Sequence, residues 1–97
     1  MTKVDFIFTI GYQGVSAIVD KHAKKQYSKL SSTELAEKGL FKSAFCEALF
    51  DEDIVKQKEI SNIYNRISGE ANTNVDSMKR LLGVFEVPSH ISRVRYI

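Results

Sequence analysis

The chain has 97 residues, of which 43% are apolar and 27% are charged, and its formal net charge is +2. This length predicts a single compact domain over residues 1–97, with a modest core. The composition excludes a disordered chain, and no apolar run reaches the roughly 18 residues of a membrane span. We therefore predict a cytoplasmic protein that does not enter a membrane. The single cysteine excludes an intrachain disulfide and a cysteine-based metal cluster.

Charge is unevenly distributed along the chain. Residues 1–30 carry five lysines against two aspartates, a net charge of +3, and residues 77–97 also carry a net charge of +3. Residues 31–76 carry five basic and nine acidic side chains, a net charge of −4. The pattern fits either a weak dipole used in binding or solvated faces that compensate one another, and we favour solvated faces.

Residues 4–10 are predicted to form a strand. The signal is an alternation of apolar residues, Val4, Phe6, Phe8 and Ile10. The stretch that follows, "VSAIV" at residues 15–19, fits either the return strand of a hairpin or the start of a helix. A helix would make "GYQG" at residues 11–14 a loop that can bind an anion, whereas a hairpin makes it a turn. We favour the hairpin, followed by a short helix, "KHAKKQY", capped by Asp20.

The middle of the chain predicts three consecutive helices with clear ends. Ser31 and Glu34 form a capping box at the start of the first, and Gly39 ends it. The second helix has one apolar stripe, formed by Leu40, Phe41, Ala44, Phe45, Ala48 and Leu49. The acidic run at residues 51–53 ends this helix and caps the third. Four residues of the third helix share a face, Ile60, Ile63, Tyr64 and Ile67.

The last part of the chain predicts one more helix and a final strand. The helix covers residues 75–82, is capped by Thr73 or Asn74, and is followed by Gly83. The final stretch, "ISRVRYI", alternates in the manner of a strand. We therefore predict an α+β fold in which a small antiparallel sheet, the N-terminal hairpin plus the C-terminal strand, packs against four or five short helices.

Residues 31–45 resemble a DNA-reading helix-turn-helix in outline, because a capped helix, a glycine and a second amphipathic segment follow one another. A recognition helix must present basic and polar side chains to bases and phosphates. With its apolar stripe in the core, the second helix exposes four residues, Lys42, Ser43, Glu47 and Asp51. The phosphate backbone repels a face with one base and two acids. We therefore predict two core helices joined at a glycine.

The residue types needed for catalysis or metal binding occur without the spacing that this chemistry requires. His22 and His90 are isolated, and no Ser, His and acid pattern of a hydrolase surrounds any nucleophile. Cys46 has apolar neighbours and is expected to be a small buried residue. We predict that the protein is not an enzyme and has no metal site and no cofactor.

One basic concentration predicts a binding surface. Its members are Lys21, Lys24, Lys25, Tyr27 and Lys29, with Arg93 and Arg95 if the last strand lies beside them. The leading hypothesis is a non-catalytic protein–protein interaction module or a self-associating module, in which an exposed edge of the last strand pairs with another chain. The alternative hypothesis is weak binding of nucleic acid or an anionic ligand by residues 21–29 with the two arginines.

Overall fold

The structure is a computed structural model that describes residues 1–97. Six helices and three strands follow one another along the chain: α1 (Lys3–Ile7), β1 (Thr9–Gln13), β2 (Ser16–Val19), α2 (Lys21–Tyr27), α3 (Ser32–Glu37), α4 (Phe41–Phe50), α5 (Ile54–Ser68), α6 (Val75–Leu82) and β3 (Arg93–Tyr96). The α+β class is therefore confirmed, with six helices where four or five were predicted. None of the six helices combines the length and the hydrophobicity that a membrane-spanning segment requires.

The three strands form one mixed sheet in the order β1-β2-β3. The predicted hairpin is confirmed, because β1 and β2 pair antiparallel. The prediction of a purely antiparallel sheet is wrong, because β2 and β3 run parallel. Five helices lie between these two strands, enough chain for the crossover that a parallel pair requires. Side-chain alternation reports which residues share a face, and it contains no information about strand direction.

The prediction of a strand over residues 4–10 is wrong for residues 4–8, because the segment begins with a short helix, and it is right for Thr9 and Ile10, which begin β1. Thr2 caps α1 by accepting a hydrogen bond from the Asp5 amide at 3.2 Å. Phe6, Ile7 and Phe8 are all buried, although a strand would bury only every second one of them. The run of consecutive apolar residues, rather than the alternation, was therefore the informative part of this segment.

The hairpin turn is shorter than the predicted "GYQG" turn. Three of these four residues, Gly11, Tyr12 and Gln13, belong to β1, and the turn lies at Gly14 and Val15. Gly14 has a φ of 59°, the left-handed conformation that glycine adopts without steric cost. Residues 15–19 are followed by the helix that Asp20 caps, as predicted, with the Ala23 amide 3.0 Å from the aspartate oxygen.

The helix ends follow the local capping signals closely. Both halves of the Ser31–Glu34 capping box are present at α3. Asp53 caps α5, and Asn74, one of the two predicted candidates, caps α6. Gly83 ends α6 in the left-handed conformation. Each of these caps is a hydrogen bond between residues a few positions apart, so it does not depend on how the helices pack against one another.

Helix α4 forms the centre of the core, packing against α1, α3 and α5. Ala44, Phe45, Cys46 and Ala48 are buried on it, and the first three belong to a single cluster of 13 buried apolar residues. Its polar side faces α1, where the Lys3 ammonium lies 2.8 Å from Asp51 and 3.8 Å from Glu47. Residues 31–45 thus contain two core helices joined at Gly39, as predicted.

A strained residue ends α4. Glu52 is the only residue other than glycine with a positive φ, at 53°. Its amide donates to the Leu49 carbonyl at 3.1 Å, and the Asp53 amide donates to the Ala48 carbonyl at 3.0 Å. These two bonds define a Schellman motif, in which glycine is the usual residue at the position of Glu52.

Glu52→Gly is therefore expected to raise the free energy of unfolding by about 1 kcal/mol, because glycine adopts the left-handed conformation without the side-chain clash. Urea denaturation followed by circular dichroism measures the change. Glu52→Ala removes the same carboxylate but keeps a Cβ, and it should give no such gain. Equal stabilisation by alanine and glycine would show that charge, rather than backbone strain, is responsible.

Candidate functional site

Helix α2 presents two of its three lysines, Lys21 and Lys25, on the side away from the core. Ala23 and Tyr27, four residues apart, pack against the core cluster, so Tyr27 is half-buried. Lys21 and Lys25 lie on the exposed side of the helix. Lys29 is exposed beyond the end of α2. The helix therefore separates the predicted binding residues, with Tyr27 directed to the core and Lys21, Lys25 and Lys29 left at the surface.

Strand β3 distributes its side chains over the two faces of the sheet. Val94 and Tyr96 lie opposite Ala17 and Val19 of β2, which are completely buried, so they belong to the inner face. The neighbouring residues of β3 lie on the outer face by alternation, and these are Arg93 and Arg95. On that face the Arg95 guanidinium donates to the Gln13 amide oxygen at 3.2 Å.

The inner face holds a polar cluster formed by Asp5, Lys24 and Tyr96. The Lys24 ammonium lies 2.7 Å from an Asp5 carboxylate oxygen, and the Tyr96 hydroxyl donates to the same carboxylate at 3.0 Å. The ammonium also lies 4.7 Å from the centre of the Tyr96 ring, within cation–π distance. The cluster joins α1, α2 and β3, which are far apart in sequence.

The electrostatics of this cluster favour the ion pair. Burial alone raises the pKa of the Asp5 carboxyl, but hydrogen bonds from Lys24, Tyr96 and Thr2, with the charge of Lys24, lower it further than burial raises it. The resulting pKa lies below the ordinary value, and the hydrogen bond to Asp5 raises the pKa of Lys24. Lys24 is therefore charged, and its charge is balanced by Asp5. Lys21 and Lys25 have no such ion-pair partner.

A shallow depression lies over this cluster, with a volume of about 350 Å³. Its lining residues are Lys21, Lys24, Lys25, Ser28 and Tyr96. The structure thus brings three of the predicted lysines together, and it leaves Tyr27, Lys29, Arg93 and Arg95 outside the depression. Sequence reasoning missed Asp5 and Tyr96, and no signal in the sequence links two residues so far apart.

The free edge of β3 is the second feature of the site. The Arg93 amide donates to Val15, the Ile97 amide donates to Val19, and the Ile97 carbonyl accepts from Lys21. Alternate residues of β3 are thus bound to β2 and its neighbours, so Val94 and Tyr96 direct their amide and carbonyl groups away from the sheet. No other element packs extensively against β3. The edge is open to another strand.

The groups able to hold a metal or to act as a nucleophile are not gathered at this site. No three His, Cys, Asp or Glu side chains lie close enough to hold a metal ion. Cys46 is buried in the core, and burial raises the pKa of its thiol to about 12. The thiol is therefore protonated at neutral pH, the unreactive form.

Comparisons with known proteins identify no relative of this chain. No protein-family model, no curated protein and no solved structure matches the chain. The open edge of β3 and the basic groups on both of its sides are therefore the features from which a function can be argued.

Proposed function

We propose that this protein is a non-catalytic protein-interaction module that binds an extended acidic segment of a partner protein along the free edge of β3. The observation that carries the proposal is the open edge itself, where Val94 and Tyr96 leave their backbone groups unpaired. An added strand would satisfy these groups by main-chain hydrogen bonds, which supply affinity in strand-addition complexes.

The charges around β3 favour an acidic partner. Arg93 and Arg95 lie on the outer face, while Lys21 and Lys25 line the depression on the inner side. Side chains of an added strand alternate between the two faces, so acidic residues on either face meet a basic group. Opposite charges on neighbouring strands stabilise their pairing, by about 0.2–1 kcal/mol for each pair.

The same charges disfavour self-association by this edge, which was the other form of the leading hypothesis. When two copies pair antiparallel with Val94 of one opposite Val94 or Tyr96 of the second, an arginine lies opposite an arginine. Like charges directly opposite one another destabilise a strand pair. A second copy is therefore a poorer occupant than an acidic segment.

Nucleic-acid binding, the alternative hypothesis, has weaker support. Lys24 is paired with Asp5 and covers one side of the Tyr96 ring, and Tyr27 packs against the core. Stacking of bases needs an open aromatic face.

The cytoplasmic location of the protein stays a prediction.

The test is a charge swap between protein and peptide. We expect the wild-type protein to bind an acetylated and amidated Glu-Val-Glu-Val-Glu peptide at least tenfold more tightly than the matching Lys-Val-Lys-Val-Lys peptide. Arg93→Glu with Arg95→Glu should reverse this preference, because both arginines are exposed on the outer face. Fluorescence anisotropy of labelled peptides measures both affinities, and amide shifts at Val94 and Tyr96 locate the peptide.

The matched control is Lys38→Glu with Lys58→Glu, which changes the net charge equally at two exposed positions outside β3. This variant should keep the wild-type preference. If the control variant loses binding as much as the arginine variant does, the attraction is general to the whole surface and the strand-addition proposal is wrong. Concentration-dependent dimerisation that the acidic peptide does not reverse would favour self-association instead.

A further inference from the structure

The depression beside Tyr96 is lined by one face of α2 and its C-terminal cap. The lining residues from this segment, Lys21, Lys24, Lys25 and Ser28, follow the three- and four-residue spacing of a single helix face. Tyr96 of β3 completes the lining. All four helical side chains end in a hydrogen-bond donor, and no carboxylate lines the depression. The donors converge on a space suited to an anion.

Two of the positive charges at this depression are not balanced within the protein. Lys24 is offset by Asp5, 2.7 Å away, but Lys21 and Lys25 are exposed and form no ion pair. Like charges four residues apart destabilise a helix, and α2 contains no acidic residue that could offset them. The carboxylate next to the helix, Asp20, accepts the capping hydrogen bond at its start. An anion with two negative charges therefore matches this surface.

The depression lies where one side chain of an added strand would point. In neighbouring strands, directly opposite residues have Cβ atoms about 4.5–5.5 Å apart. The residue of an added strand opposite Tyr96 that points to the inner face therefore lies over the depression, because Tyr96 lines it. The residues before and after it point to the outer face, towards Arg93 and Arg95. One position of the bound segment is thus distinguished from the others.

We propose that the partner segment carries a phosphorylated side chain beside Tyr96, and that its phosphate binds in the depression between Lys21 and Lys25. This inference rests on the proposed strand addition. A phosphate monoester carries a charge of about −1.5 to −2 at neutral pH and three acceptor oxygens. It therefore balances both free lysines and accepts from Ser28, whereas a carboxylate balances one lysine. Phosphorylation of the partner then increases its affinity for the β3 edge.

The test compares three acetylated and amidated peptides that differ at one inner-face position. They are Glu-Val-Glu-Val-Glu, Glu-Glu-Glu-Val-Glu and Glu-pSer-Glu-Val-Glu, in which the shared glutamates face the two arginines. We expect the phosphoserine peptide to bind at least tenfold more tightly than the valine peptide, with the glutamate peptide between them. Fluorescence anisotropy measures the affinities. Amide shifts should appear at Lys21, Lys25 and Ser28 as well as at Val94. A phosphotyrosine peptide carries the same group on a longer side chain, and the tighter of the two phosphopeptides identifies the residue.

Two double variants separate the depression from general attraction to a basic surface. Lys21→Gln with Lys25→Gln should reduce the affinity ratio of the phosphoserine and valine peptides to less than threefold. The matched control, Lys38→Gln with Lys58→Gln, removes the same charge at two exposed positions elsewhere and should keep the tenfold ratio. An equal fall of the ratio in both variants would refute the assignment of the phosphate to the depression.

The same titrations distinguish a failure of this inference from a failure of strand addition. If the valine peptide shifts Val94 but the wild-type ratio is below threefold, strand addition stands and the phosphate inference is wrong. If no peptide shifts Val94, strand addition is wrong and this inference fails with it. Inorganic phosphate alone should bind at least a hundredfold more weakly than the phosphopeptide. A comparable affinity would show that the depression recognises a free anion, and it would overturn the inference.

Discussion

Asp5→Asn is expected to lower the free energy of unfolding by about 1.5–3 kcal/mol, the range for hydrogen bonds to a charged group. The Asp5 side chain is only 7% exposed and accepts hydrogen bonds from both Lys24 and Tyr96. Asparagine keeps the shape but loses the charge, so the attachment of β3 and α2 to α1 weakens. Urea denaturation at pH 7 measures the loss.

Lys3→Met is the matched control, because it also removes an ion pair with an aspartate. That pair, Lys3 with Asp51, lies at the surface, with side chains 36% and 48% exposed. Exposed pairs contribute about 0–1 kcal/mol, so the loss should be small. Equal losses in the two variants would show that the burial of Asp5 has no special effect on stability.

The same aspartate predicts a dependence on pH. Its folded pKa is lower than the ordinary value of 3.8, so its stabilising contribution is complete above that value. The contribution is lost as the pH falls through the lower, folded pKa. The difference in stability between wild type and Asp5→Asn should therefore be constant from neutral pH down to about pH 5 and shrink below about pH 4. A difference that persists unchanged in strong acid would contradict the ion pair as its cause.

Phe45→Ala is expected to lower the free energy of unfolding by about 3–5 kcal/mol. Phe45 is completely buried on α4, the helix that contacts α1, α3 and α5, and its removal leaves a cavity that these elements cannot close together. Small domains have about 5–15 kcal/mol of stability in total. Thermal unfolding should therefore show a much lower midpoint or no cooperative transition.

Phe41→Ala on the same helix is the comparison variant. Phe41 is half-buried, and its ring contacts Tyr64 edge-on with 5.1 Å between ring centres. The expected loss is about 2 kcal/mol, because less apolar surface leaves the core. Losses of equal size at the two positions would show that α4 is not oriented as described.

The candidate binding surface was only partly predictable from the sequence. The helical spacing of Lys21, Lys24 and Lys25 places them on one side of α2, and this follows from helix geometry alone. The sequence does not show that Lys24 is neutralised by a partner 19 residues away. Nor does it show that Arg93 and Arg95 lie on the face of the sheet opposite the depression, because that depends on the register between β2 and β3.

A groove where the ends of α4, α5 and α6 meet was not predicted at all. The acidic run at residues 51–53 predicts helix capping, which is correct for Asp53, but Glu52 and Gln57 line a common groove with Phe85 and Glu86. Those residues come from separate parts of the chain. Their meeting depends on the angles at which α4, α5 and α6 pack, and side-chain patterns do not specify those angles.

The amino-acid sequence specifies the local features of this protein. It specified the capped ends of α3, α5 and α6, the hairpin between β1 and β2, and the buried stripe of α4, because each depends on residues within a few positions of one another. Tertiary packing fixes the direction of β3, which the residues close to it in the sequence do not specify. It also decided the contact between Asp5 and Tyr96, which are 91 residues apart. Such contacts form only when the whole core brings distant segments together, so no local pattern encodes them.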